Sequence, residues 1–132
     1  MDLNDILKSA ADQNAGHQFE LLDPVGGNPT GLKFTIAGPD SERARNANAK
    51  LEAALTKLTS RSSGRVSTDD RTRLVIDFLF DVTVSWDVKQ GGKKLELTRE
   101  HFGRVLGAAS WVRAQVDTFA ADRSPYYRDE VA

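Results

Sequence analysis

The sequence predicts an α+β fold, mainly helical, in which an N-terminal β-hairpin packs on a bundle of about four helices. Three observations lead there. Apolar residues recur at helical spacing in four or five separate segments. One stretch, Leu32 to Ile36, alternates strictly between apolar and polar residues behind a Gly/Asn/Pro cluster, the mark of a half-buried hairpin strand. The 132 residues, 39% hydrophobic and 28% charged, suffice for one domain with its own core and not for two. The expected divisions are residues 1–16 as helix and hinge, 17–38 as hairpin, 39–124 as helical core and 125–132 as tail.

The elements follow in order. Leu3, Ile6, Leu7, Ala10 and Ala11 repeat at helical spacing, with Asp2 and Asp5 at the positive end of the helix dipole. The preferred reading packs this helix back on its own core, and the alternative is a detachable arm docking on a neighbouring copy. Gln13 to Gly16 reads as a flexible break. Phe19, Leu21 and Leu22 precede Asp23-Pro24 and the Gly26-Gly27-Asn28-Pro29 loop, which is too long for a two-residue turn and leaves the register open. Asp40 or Ser41 caps a helix whose stripe is Ala44, Ala47, Leu51, Ala54, Leu55 and Leu58.

Arg61 to Thr68 is a polar loop, and Ser67 or Thr68 caps the next helix. Arg73, Asp77 and Asp81 form one thin polar stripe on it, with an Arg73–Asp77 ion pair. Here two signals compete. Val82, Val84, Trp86 and Val88 also alternate with polar residues, and residues 82–88 fit helix or strand. The compromise is helix to about Val84 and extended chain from Trp86 to Val88. Gln90 to Lys93 is a turn, Leu95 and Leu97 are extended, and Thr98 caps a helix carrying Phe102, Val105 and Leu106. Gly107 kinks or breaks it. Ser110 starts the last helix, with Trp111, Val112, Val116 and Phe119, before Pro125 and a tail with Tyr126 and Tyr127 that frays. The expected core is Leu51, Leu55, Phe78, Leu79, Val82, Trp86, Phe102, Leu106, Trp111 and Phe119, closed on one side by Phe34 and Ile36.

No arrangement of residues points to catalysis, a cofactor or a metal. His17 and His101 stand in no ligand spacing with each other, and there is no cysteine. Asp77 and Asp81 lack further ligands. Gly26-Gly27 and Gly91-Gly92 match no phosphate-binding motif. The net charge of -1 recruits neither nucleic acid nor anionic membrane. Arg61, Arg65, Arg71 and Arg73 are the one basic concentration, but aspartates offset them and no aromatic residue lies among them to stack on a base. The acidic N-terminus lacks a signal-peptide pattern, and the longest apolar stretch is short and interrupted by aspartates, so a cytoplasmic location is expected, without a membrane contact.

The order of features resembles the tail assembly chaperones of long-tailed bacteriophages. The resemblance rests on Phe19 to Pro24, on Gly31 and the strand to Ile36, and on Gly38 to Ser41. It continues through the buried helix ending in Trp86, Gly91-Gly92-Lys93, Leu95, Thr98, Phe102, Leu106, Trp111, Gln115, Phe119 and an Arg-Ser-Pro tail ending in aromatics. Ser110 stands where such sequences often have proline, and Tyr126-Tyr127 where phenylalanine is common. The resemblance implies a non-enzymatic protein that coats a tape measure protein and gives way to the tail tube protein. It also implies a homo-oligomer, helical or ring-like, in the host cytoplasm. The alternatives are another small phage structural or adaptor protein, or a nucleic-acid-binding regulator using Arg61–Arg73. The expected partner-binding residues are Leu3, Ile6, Leu7, Tyr126 and Tyr127, on the two chain ends.

Overall fold

A computed structural model describes residues 1–61 and 64–127. Ser62 and Ser63 of the polar loop, and the tail after Tyr127, lie outside them. The described residues form an α+β fold, mainly α. Its helices are α1 (Leu3–Ala15), α2 (Glu42–Arg61), α3 (Thr68–Val82), α4 (Arg99–Ala108) and α5 (Ser110–Ala121), followed by a 3-10 turn at Ser124–Tyr126. Strands β1 (His17–Leu22), β2 (Pro29–Ile36) and β3 (Thr83–Asp87) form an antiparallel sheet in the order β1-β2-β3. A small hairpin pairs β4 (Lys89–Gln90) with β5 (Lys93–Lys94).

Asp23 organises the β1–β2 loop. Its carboxylate accepts the amides of Val25, Gly26 and Asn28 at 3.0, 2.7 and 2.9 Å. These bonds, led by that from Gly26, hold its pKa below the ordinary aspartate value. The loop thereby sets the register, Phe19 opposite Phe34 and His17 opposite Ile36. The edge of β1 is covered by a side chain: Gln115 of α5 accepts the Leu22 amide at 3.0 Å and donates to the Leu22 carbonyl at 2.8 Å.

The hairpin gains a third strand. The helix stops at Val82 rather than near Val84, and extension begins at Thr83 rather than Trp86. The cause is the β-branched run Val82-Thr83-Val84, which favours extended backbone once partners exist for the helix's last carbonyls. A register shift between Thr35 and Ile36 leaves Val84 as an extra residue, so that Trp86 sits opposite Phe34 and Thr83 opposite Ile36. Both Thr83 and Trp86 are then buried.

The core lies between this sheet and α3, α4 and α5. Phe34 and Phe102 are fully buried, and the Trp86 ring stacks on Phe102 at 5.7 Å while meeting Phe34 edge-on at 5.7 Å. The Trp86 indole N–H donates to the Leu95 carbonyl at 2.8 Å. Leu79, Val82, Leu106 and Ile36 are buried as expected, whereas Phe78, Trp111 and Phe119 are half-buried at its margin. Leu51 and Leu55 are half-buried and outside this core. The only fully buried residues of α2 are Ala44 and Ala47, near its start, so the rest of the helix leaves the body as an antiparallel arm with α3.

The caps follow sequence logic. Ser41, Ser67 and Thr98 accept the amides of Ala44, Asp70 and His101 at 3.0, 3.1 and 3.1 Å. Gly91 and Gly92, at φ 59° and 80°, make the tight turn between β4 and β5. The α4–α5 break falls at Ala109, two residues beyond Gly107, and Ser110 is the first residue of α5, as its sequence position suggests. Arg73 pairs with Asp70 instead of Asp77, because one turn toward the helix start brings it to an acid in the first turn.

Phe102→Ala is expected to cost about 3–5 kcal/mol, the usual range for a fully buried phenylalanine. Trp111→Ala is expected to cost less, since that ring is half-exposed. Urea denaturation of the two variants checks the order, and an equal loss would place Trp111 in the core.

Candidate protein-binding surfaces

Helix α1 is turned opposite to its apolar pattern. Asp2 and Asp5 form a capping box at its start. The residues it buries are Ser9 and Gln13, while Leu3, Ile6 and Leu7 are 66%, 49% and 58% exposed. The preferred expectation, that the apolar stripe packs on the protein's own core, is therefore corrected. So is the flexible break at Gln13, because the helix runs to Ala15 and turns only at Gly16.

A polar seat holds α1 at its C-terminal end. The Gln13 carbonyl accepts the Gly38 amide at 2.8 Å, and its side-chain oxygen accepts the Asp40 amide at 2.8 Å. A Cβ on Gly38 would collide with the Gln13 side chain, so this approach requires glycine. Asp40 in turn accepts two bonds from Arg123, at 2.7 and 2.9 Å, and one from the Gln13 amide group at 3.4 Å. Asp40 thus joins the two chain ends, and Ser41 is left to cap α2.

The C-terminal tyrosines are also engaged. Tyr126 donates to the Ile36 carbonyl at 3.2 Å, and its ring stands edge-on to His17. Burial raises its pKa, with Asp122 adding to the effect. Tyr127 is half-buried and its amide reaches the Ser124 carbonyl at 3.3 Å. The expected fraying of this segment is corrected: a 3-10 turn and the Arg123–Asp40 pair hold it down. Of the five expected partner-binding residues, the three on α1 form one open face and the two tyrosines lie against the body.

A second surface runs between α2 and α3. Ala47, Leu51 and Ala54 face Leu74 and Phe78 across a groove of about 200 Å³, with Lys50 on its lip. The Asp77 and Asp81 carboxylates at its inner end are both held by Arg99, at 2.8 and 3.1 Å, and the Arg99 guanidinium lies over the Phe80 ring. That pairing identifies the two aspartates as part of a structural ion pair between α3 and α4.

The histidines are structural too. His101 Nδ1 lies 2.7 Å from the Glu96 carbonyl and donates to it, and His17 packs edge-on against Phe19 at 4.9 Å. Among the described residues no group of three His, Asp or Glu side chains is placed to hold a metal ion. Among them, too, no helix is long and apolar enough to cross a membrane. Arg61, Arg65 and Arg71 are exposed at the far end of the α2–α3 arm, away from α1. Comparison with family models, with curated proteins and with solved structures finds no match for the chain.

The Arg123 hydrogen bonds favour the Asp40 carboxylate and lower its pKa below the ordinary 3.8. The seat is therefore intact above that value and is lost as pH falls through the lowered one. Acid titration followed by NMR is expected to release the last turn of α1 below pH 3.8. Asp40→Asn should loosen that turn at neutral pH, and Gly38→Ala should do so by displacing Gln13. A last turn equally ordered in all three proteins would show that packing elsewhere holds α1.

Proposed function

We propose that the protein is a non-enzymatic binding protein that acts as a phage tail assembly chaperone, keeping a tape measure protein soluble until tail tube subunits replace it. The observation that carries the binding role is the open face of α1. Large apolar residues at i, i+3 and i+4 normally face a core, and exposing three together disfavours the isolated chain unless a partner covers them. The histidines and paired aspartates have structural partners, which supports a role without chemistry. The resemblance of the Phe19–Ser41 and Trp86–Phe119 segments to tail assembly chaperones supplies the client. A long helical client offers repeated apolar surface, and a small protein with a near-neutral charge can line it in many copies.

Co-expression with a candidate tape measure protein tests this. The client is expected to move from the insoluble to the soluble fraction and to co-purify with several copies of the chain. Leu3→Glu combined with Leu7→Glu, at exposed positions, should abolish that effect without lowering the melting temperature. Equal solubility of the client with and without the chain would reject the chaperone role.

A further inference from the structure

We propose that the open face of α1 docks into the α2–α3 groove of a second copy, joining chains head to tail; this rests on the reading of α1 as the contact surface. The two surfaces are complementary in shape. Leu3, Ile6 and Leu7 form a narrow ridge along one side of a helix. The groove is floored by Ala47 and Ala54, small residues that admit a ridge, and walled by half-buried Leu51, Leu74 and Phe78.

They are also complementary in charge. The ridge is flanked by Asp2 and Asp5, and α1 carries Asp12 against one lysine, Lys8. The arm from Glu42 to Val82 carries eight Lys or Arg against six Asp or Glu. Lys50 on the groove's lip and Lys57, two turns further along the same helix face, have no ion pair among the described residues. The groove's own acids, Asp77 and Asp81, are already held by Arg99. An incoming acidic helix therefore meets unpaired cations.

The occupant must come from another molecule. In its own chain α1 is fixed by Gln13 against Gly38 and Asp40, and it flanks His17, Pro125 and Tyr126 rather than the groove. Ridge and groove are different surfaces, so after the first contact one copy keeps its groove free and the other its ridge. Such contacts extend into open filaments or rings.

Sedimentation velocity over a concentration series reads the assembly. The full chain is expected to grow beyond a dimer with concentration. A ridge variant, Leu3→Glu with Leu7→Glu, and a groove variant, Lys50→Glu with Ala54→Glu, should each weaken association about tenfold or more. Mixed in equal amounts, the two should form a heterodimer that grows no further, since only one intact ridge and one intact groove remain. If the groove pair lowers the melting temperature, Lys50→Glu alone, at an exposed site, replaces it. A full chain that stays monomeric at high concentration overturns the proposal. So does a groove variant that still dimerises, which would mean α1 pairs with α1, or a mixture that stays monomeric. A monomeric chain that still solubilises the client through α1 would reject the head-to-tail contact and leave the chaperone role standing. An assembling chain that does not solubilise it would do the reverse.

Discussion

The fold depends on how α3 ends. A helix leaves its last carbonyls without partners, and here no loop follows to expose them to water. Each finds a partner, two from Thr83 and the others from distant parts of the chain. Thr83 Oγ1 donates to the Leu79 carbonyl at 2.7 Å, and the Thr83 amide reaches Phe80. Arg43 of α2 reaches the carbonyls of Asp81 and Thr83, at 2.7 and 3.4 Å. The Ala37 amide, just past β2, reaches Val82 at 2.8 Å. One junction thus fixes the start of α2, the end of β2 and the register of β3. With β3 in place, Trp86 reaches both Phe34 and Phe102, and sheet and helices share one core. The Arg43 cation also lies where the helix dipole favours positive charge.

The junction explains what was legible in the sequence. Local features were: the serine and threonine caps, the Gly91-Gly92 turn, the alternation of β2 and the helical stripes each depend on a few neighbours. The conflict at residues 82–88 was legible as a conflict, because both periodicities are present. Its resolution depends on Ala37 and Arg43, some forty residues earlier, and no local pattern carries that. The same limit applies to Arg99, which takes both Asp77 and Asp81 from another helix, where local spacing suggested Arg73. Leu51 and Leu55 sit on a proper helical stripe, but a stripe says which face is apolar and not how far along it the core extends.

The orientation of α1 is beyond the sequence pattern for a related reason. The pattern marks Leu3, Ile6 and Leu7 as one apolar stripe, which fits either packing on the core or contact with a partner. What the pattern could not show is that Gln13 makes a better anchor than the leucines. Gln13 is fully buried, yet both ends of its amide are bonded, so its burial carries no unpaired polar group. The signal was Gly38: a glycine just after a strand, where a backbone must come close.

A polar seat and an apolar face on one helix have a combined consequence. Hydrogen bonds contribute modestly, about 0.5–1.5 kcal/mol each, but they are directional. They fix where α1 points without using its apolar surface. Had the leucines anchored the helix, the face would be spent on the protein's own core. Had nothing anchored it, a partner would bear the entropy of ordering the helix on binding. The arrangement between these extremes presents a pre-positioned apolar ridge at one site of the molecule and an unfilled, cation-lipped groove at another. Because the two surfaces differ, a contact between them is directional, and a chain of such contacts has a polarity.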